Sequence, residues 1–474
     1  MGKESGPGRF RILDKDLERV ANSESAGAQS RRPVLRLGLA LIFAALASIL
    51  AGGASAGVNA GWALIPGVMI GAFLALSIGA NDSANALGPA VGAGAISARA
   101  GLALVALAEI AGALTGGERV GETLSSGLLG PAQLARDGAA TVMLAAMIAA
   151  AGWIALATWA GAPVSTTHAV VGGIAGAGIA VFGAAGASWR GLGIIASGWM
   201  VSPVIAGLIA AVLLALLRSR IQRAPDPILA GTRWFPVIVG VLAAVLAGYA
   251  LALSGLPGAG PAAGITAAAG AGAWWLARRR IAAERAAGLR PRQAMKRLFG
   301  PPLVAAAMLI AYGHGANDVA NVAAPLSVIA GDGDPGAPLW LATGALGFAL
   351  GATLFGRRLV RMVGSRITRL NPARALCVTL ATALVLLGAT WAGLPVSTTH
   401  VAVGAVFGVG FYREWEERRL HPGAPDAPLP PEELHRRRLV RRSAVLRTLA
   451  AWAVTVPITG ALSAVLALAL GAAG

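Results

Sequence analysis

Charge is what this sequence has least of. Asp, Glu, Lys and Arg make up 13% of its 474 residues, against about a quarter in an ordinary soluble domain. Half the usual charged surface is missing, which argues against a water-soluble fold. Cysteine is scarce as well: Cys377 stands alone in an apolar run. That excludes an intramolecular disulfide and implies no redox chemistry. No cluster with metal-ligand spacing and no nucleophile–base spacing is evident, so nothing in the chain suggests an enzyme.

Hydrocarbon fills the chain instead, with 56% of the residues hydrophobic. Stretches 34–57, 61–80, 138–160, 191–217, 234–254, 372–392 and 446–472 each run about twenty residues or more with almost no charge. That is the length a bilayer core demands. Shorter or interrupted apolar runs lie at 101–117, 168–186, 262–277, 300–316, 338–356 and 398–412. The expected fold is an all-α polytopic membrane protein with about twelve transmembrane segments. Ala54-Ser55-Ala56 looks like a signal-peptide cleavage site, yet the long hydrophilic leader before the first apolar run favours a retained span.

The net charge of +18 invites a nucleic-acid reading, but its distribution does not fit one. Five stretches, 1–36, 218–233, 278–297, 357–374 and 413–447, hold 35 of the 39 basic residues. They lie between apolar runs, as the positive-inside rule places them, whereas a nucleic-acid protein gathers its charge on one folded face.

Two motifs recur. Gly79-Ala80-Asn81-Asp82-Ser83-Ala84-Asn85-Ala86 returns as Gly315-Ala316-Asn317-Asp318-Val319-Ala320-Asn321-Val322. Pro163-Val164-Ser165-Thr166-Thr167-His168 returns as Pro395-Val396-Ser397-Thr398-Thr399-His400. Asn81 precedes His168 by 87 residues and Asn317 precedes His400 by 83. Two unrelated motifs at nearly equal separation indicate an internal duplication. With the basic loops placed in the cytoplasm, the first copy enters from one face and the second from the other. The expectation is two inverted-topology repeats with broken helices meeting at the midplane.

On a helix, Asn81, Asp82 and Asn85 share one face, within about 100° of arc. An aspartate inside a membrane costs about 2.5–3.5 kcal/mol and commonly marks an ion or substrate path. The second motif starts a helix at Pro163 or Pro395 and follows with three hydroxyl residues. A helix N-terminus offers free N–H donors and a positive dipole end, and the hydroxyls add O–H donors. Capping by itself needs fewer such residues. The set therefore points to an oxyanion site. Asp82 and Asp318 would repel an anion unless a cation lay between, so the pairing implies cation coupling, to Na⁺ held by Asn and Asp oxygens or to H⁺. A carboxylate also accepts a hydrogen bond from a protonated phosphate, which sulfate at neutral pH cannot donate.

These paired signatures resemble the inorganic phosphate transporter (PiT) family, across both halves of the membrane portion. Ala311-Tyr312-Gly313-His314-Gly315 also matches, in placing histidine before the glycine. The resemblance implies a secondary symporter of inorganic phosphate coupled to Na⁺ or H⁺, with no cofactor and no enzymatic activity. Some bacterial relatives carry sulfate or metal-phosphate complexes. It further implies phosphate ligands among Asp82, Asn85, Ser165, Thr166, Thr167, Asp318, Asn321, Ser397, Thr398 and Thr399. Na⁺ ligands are implied among Asn81, Asp82, Asn317 and Asp318. Glu109, in Ala108-Glu109-Ile110-Ala111-Gly112-Ala113, matches a family glutamate and is the coupling candidate. Many relatives carry a glutamate sixteen residues before the second signature proline, where this chain has Thr379; the coupling ion is left open at that point. His168 and His400 are expected to be structural.

The chain divides into a disordered basic tail (1–33), a first repeat (34–217), basic loops with connecting membrane segments (218–299), a second repeat (300–412), a Pro/Arg-rich cytoplasmic linker (413–444) and a C-terminal membrane segment (445–474). The expected setting is the cell membrane. The expected partners are phosphate, the coupling cation and lipid, with a homodimer as the assembly to be weighed. An anion channel is the rival, but it needs basic residues lining its pore, and the signature segments contain none.

Overall fold

The apolar runs fold as helices because a helix satisfies every backbone N–H and C=O within one segment, which a hydrocarbon surrounding requires. In the computed structural model, residues 11–55, 61–136, 138–162, 164–254, 258–286, 291–331, 336–364, 370–420 and 442–473 are described. Every regular element among them is helical.

The first half comprises α1 (Arg11–Ala54), α2 (Leu64–Gly92), α3 (Ala98–Gly116), α4 (Glu118–Leu128), the single turn α5 (Pro131–Leu134), α6 (Ala139–Ala160), α7 (Thr166–Phe182) and α8 (Trp189–Leu217). A hairpin of α9 (Pro227–Ser254) and α10 (Ala259–Ala286) follows. The second half holds α11 (Pro291–Asp318), α12 (Ala320–Ala330), α13 (Ala337–Phe355), the short α14 (Arg357–Met362), α15 (Pro372–Trp391), α16 (Thr398–Leu420) and α17 (Arg442–Ala473).

Ten of the described helices are long and apolar enough to cross a membrane, where the sequence suggested about twelve. The difference has local causes. The run at 168–186 becomes α7, which at 17 residues is short. The runs at 262–277 and 398–412 lie in α10 and α16, which continue past them into charged turns with Arg278, Arg279 and Arg280 and with Arg413, Arg418 and Arg419. The tail expected to be disordered begins α1 at Arg11, in a stretch rich in the helix formers Leu, Arg, Glu and Ala. The expected linker starts later than 413, because α16 continues to Leu420 and buries Glu416 against Arg218 and Arg223. Residues 421–441, with Pro422 to Pro431, and the Asp332–Asp334 loop lie outside the described residues.

Packing exchanges the halves. α2 lies on α13 and α6, while α11 lies on α3 and α15; α7 lies on α17, and α16 on α8. Swapping the halves maps this pattern onto itself. The signature glycines allow two of these approaches. A Cβ on Gly79 would meet the Phe348 backbone of α13, and one on Gly315 would meet the Glu109 backbone of α3. Small residues bring membrane helices together in this way. They also place Asn81–Asp82 and Asn317–Asp318 near the centre of the bundle.

The two motifs differ in how they interrupt the helices. α2 runs uninterrupted through Asn81, Asp82 and Asn85; its counterpart is interrupted at Val319, between α11 and α12. The breaks common to both halves are the extended segments before α7 and α16, at the Pro-Val-Ser motif. Gly161 and Gly393 end the preceding helices with φ of +75° and +69°, a left-handed cap that favours glycine. Pro163 lies outside the described residues; Pro395 cannot continue a helix that needs its N–H.

Candidate functional site

Ser165 and Ser397 cap α7 and α16. Each hydroxyl oxygen accepts from the backbone N–H three residues on, of His168 at 3.1 Å and His400 at 3.3 Å. One donor of each helix start is used, and the remaining first-turn N–H groups and the dipole's positive end face the interior. The two starts interlock. Thr167 Oγ1 donates to the Val396 carbonyl and Thr399 Oγ1 to the Val164 carbonyl, both at 3.3 Å.

Next to them lie the carboxylates. Thr166 Oγ1 donates to Asp82 Oδ2 at 2.9 Å, and Thr398 Oγ1 to Asp318 Oδ2 at 3.5 Å. Within each half, the second motif therefore holds the first. Asn85 Nδ2 donates to Asp82 Oδ1 and, across the halves, to Thr399 Oγ1, both at 2.9 Å. Its counterpart Asn321 is 1% exposed, and neither end of its amide meets a partner among the described residues.

The other signature asparagines serve as clamps. Asn81 Nδ2 donates to Thr158 Oγ1 at 2.9 Å, and Asn317 Nδ2 to Thr390 Oγ1 and the Leu394 carbonyl, both at 3.0 Å. Asn317 Oδ1 also accepts from the Val396 N–H, so both ends of its amide are occupied. Asn81 Oδ1, by contrast, is buried without a partner among the described residues. Thr158 and Thr390 escaped the sequence reading, although the signal was present: Thr158-Trp159-Ala160-Gly161 and Thr390-Trp391-Ala392-Gly393 extend the second repeat upstream.

His314 is the residue whose place the sequence did not disclose. It has no counterpart in the first half, where Ile78 stands. Its Nδ1 lies 2.8 Å from Glu109 Oε1; its Nε2 lies 3.1 Å from Asp318 Oδ2 and 3.5 Å from Asp82 Oδ2. All four residues are at most 2% exposed. Three carboxyl groups surround one imidazole; in their ionised form they exceed the charge of the protonated ring, and buried charge demands compensation. One ligand atom each from Asp82, His314 and Asp318 lies within 4.8 Å of the others. Asn81 Oδ1, Asp318 Oδ1 and Glu109 Oε2 add buried oxygens without partners among the described residues. Such oxygens suit a hard cation.

Glu109 thus joins the cluster, whereas Thr379 donates to the Ala375 carbonyl of its own helix and takes no part. His168 and His400 pack ring to ring at 4.4 Å, against Trp199 at 3.8 Å and Trp452 at 3.5 Å. This aromatic stack joins α7 and α16 to α8 and α17.

A membrane bundle whose buried centre combines carboxylates with two converging helix N-termini is the interior of a membrane transporter. The comparisons with known proteins agree. The family model described as "Phosphate transporter family" matches residues 78–463, and the chain belongs to that family. A Helicobacter pylori J99 protein named "Putative phosphate permease" is 36% identical over 421 residues, covering 84% of this chain and 78% of its own. A Pyrococcus abyssi protein of like name is 32% identical, covering 85% and 97%. A solved structure titled "The sodium-dependent phosphate transporter" matches with a TM-score of 0.77 and 29% identity, over 86% of this chain and 99% of that one.

Proposed function

We propose that the chain is a secondary symporter that carries inorganic phosphate across the cell membrane together with Na⁺. The observation that carries this reading is the hydrogen-bonded contact of the two motifs, Thr166 with Asp82 and Thr398 with Asp318. Similarity to a structure titled as a sodium-dependent phosphate transporter supports the choice of ion.

The contact suggests how two opposite charges use one site. Without a cation, the carboxylates engage the threonine hydroxyls and repel an anion. Na⁺ on Asp82, Asp318 and Asn81 Oδ1 supplies the missing positive charge. The hydroxyls of Thr166 and Thr398 are then free to turn toward phosphate, which sits at the starts of α7 and α16 with Ser165, Thr167, Ser397 and Thr399. Asn85 and Asn321 donate amide N–H groups, and Asn317 keeps the second helix start in register. Glu109 acts through His314, holding the ring between the aspartates. Binding of the ion raises affinity for phosphate and, by linkage, phosphate raises affinity for the ion.

Uptake of labelled phosphate into liposomes under separately imposed gradients tests the reading. An inward Na⁺ gradient is expected to drive accumulation above equilibrium. Accumulation with a proton gradient and none with Na⁺ would reassign the ion. Passive equilibration without counterflow would replace the carrier with a channel.

The inverted arrangement has its own test. Single cysteines from Arg285→Cys and Asp334→Cys, in a Cys377→Ala background, are expected to react with an impermeant thiol reagent from opposite sides of intact cells. Reaction of both from one side would refute the charge-based orientation.

A further inference from the structure

Away from the signatures, an apolar groove of about 370 Å³ runs between α8, α9 and α15. Its walls include Leu213, Leu217, Val241, Leu376, Leu380 and Leu384, and Arg220 is the charged residue that lines it. It follows α9 from Trp234 to Val245, twelve residues or about 16 Å of helix from first to last. A bilayer's hydrocarbon core is about 30 Å thick, so the groove spans about one leaflet. Val241 is 58% exposed and Leu216 52%, so the groove opens sideways, toward where the acyl chains lie.

The arginine end differs in kind from the rest. Arg220 and Trp234 sit there with the guanidinium 5.4 Å from the indole ring centre, as expected where a helix leaves hydrocarbon for headgroups. One turn before Cys377, on the first turn of α15, stands Arg374, in the electrostatic field of Arg218 and Arg413. Glu416 is the counter-ion for Arg218 and Arg223, and Glu417 lies beside Arg413. No carboxylate among the described residues pairs with Arg220 or Arg374; Arg374 Nε donates to Asn371 Oδ1 at 3.1 Å. Arg220 thus stands without an acidic partner at the mouth of a channel for one hydrocarbon chain, and Arg374 stands two residues before Leu376, the first α15 residue that lines it. Basic pockets between membrane helices bind anionic headgroups on this principle.

We propose that the groove is a binding site for an anionic phospholipid, one acyl chain lying along α9 and the phosphodiester resting on Arg220 and Arg374. The inference does not depend on the transport reading. A neutral annular lipid uses the groove but not the arginines, a second copy of the chain uses neither as a lipid site, and free phosphate uses the arginines but not the groove.

Native mass spectrometry of the delipidated full chain, titrated with phosphatidylglycerol and phosphatidylcholine of identical acyl chains, tests the proposal. Phosphatidylglycerol is expected to bind about tenfold more tightly. The double variant Arg220→Gln/Arg374→Gln is expected to lose that preference. Val241→Trp, which fills the groove from an exposed position, is expected to weaken both lipids, while Arg190→Gln, at the opposite end of α8, changes neither. Melting temperatures of the variants near that of the native chain establish that they fold. Equal binding of the two lipids by the native chain overturns the proposal, as does an unchanged preference in the folded double variant. Displacement of phosphatidylglycerol by millimolar inorganic phosphate with Val241→Trp without effect also overturns it. A lipid-independent dimer occluding the groove does so too.

Discussion

Asp82→Asn and Asp318→Asn are each expected to reduce phosphate uptake by about a hundredfold or more at equal expression. Both carboxylates are buried, both accept a threonine hydroxyl, and both stand within 3.5 Å of His314 Nε2. Asparagine keeps the size and an acceptor oxygen, so the Thr166 and Thr398 hydrogen bonds can persist. What it removes is charge: the site loses its hold on the cation, and the ring of His314 loses a partner. Removing one partner of a buried ionic cluster commonly costs about 3–5 kcal/mol, and about 1.4 kcal/mol is tenfold in an equilibrium constant. Uptake into proteoliposomes, read together with the melting temperature, checks this. Near-native uptake by either variant would remove that aspartate from the cation site. A collapse of the melting temperature would instead assign it to folding.

Thr167→Val and Thr399→Val are expected to raise the half-saturation concentration for phosphate by about ten- to a hundredfold each. A hydrogen bond to a charged group is worth about 1.5–3 kcal/mol. Valine keeps the branched shape of threonine and deletes the donor. In the structure these hydroxyls donate to the Val396 and Val164 carbonyls, and a buried O–H can rotate from a carbonyl to a bound oxyanion. Because the two contacts are equivalent across the halves, the two losses are expected to be similar. If the hydroxyls serve the interlock alone, the result is different: a lower melting temperature with unchanged half-saturation. Measuring both quantities on both variants separates these outcomes. Normal half-saturation in both would remove the threonines from the anion site.

Much of this protein is legible along the chain. Scarce charge, twenty-residue apolar runs and clustered arginines are local properties, and a bilayer acts on each segment separately. Helical class and membrane residence therefore follow without knowledge of contacts. The repeat is legible for the same reason, as is the chemistry of Asp82 and Asp318, since a carboxylate in an apolar run has few bland explanations. The helix starts at Thr166 and Thr398 follow from a proline and a capping serine, both local signals.

Other features depended on which helices touch. The two copies of the first signature differ: α2 runs on through Asn81, Asp82 and Asn85, whereas its counterpart is interrupted at Val319. The roles of the two asparagine pairs also separated only in three dimensions: Asn81 and Asn317 reach back to Thr158 and Thr390, while Asn85 crosses to Thr399. His314 is the clearest case. It lies 232 residues from Asp82 and 205 from Glu109, and no local pattern joins them. Composition and motif determined that this chain spans a membrane and which polar groups it carries there. Only the tertiary structure decided that those groups share one buried centre, because their spacing is set by the close approach of α11 to α3 at Gly315 and of α2 to α13 at Gly79.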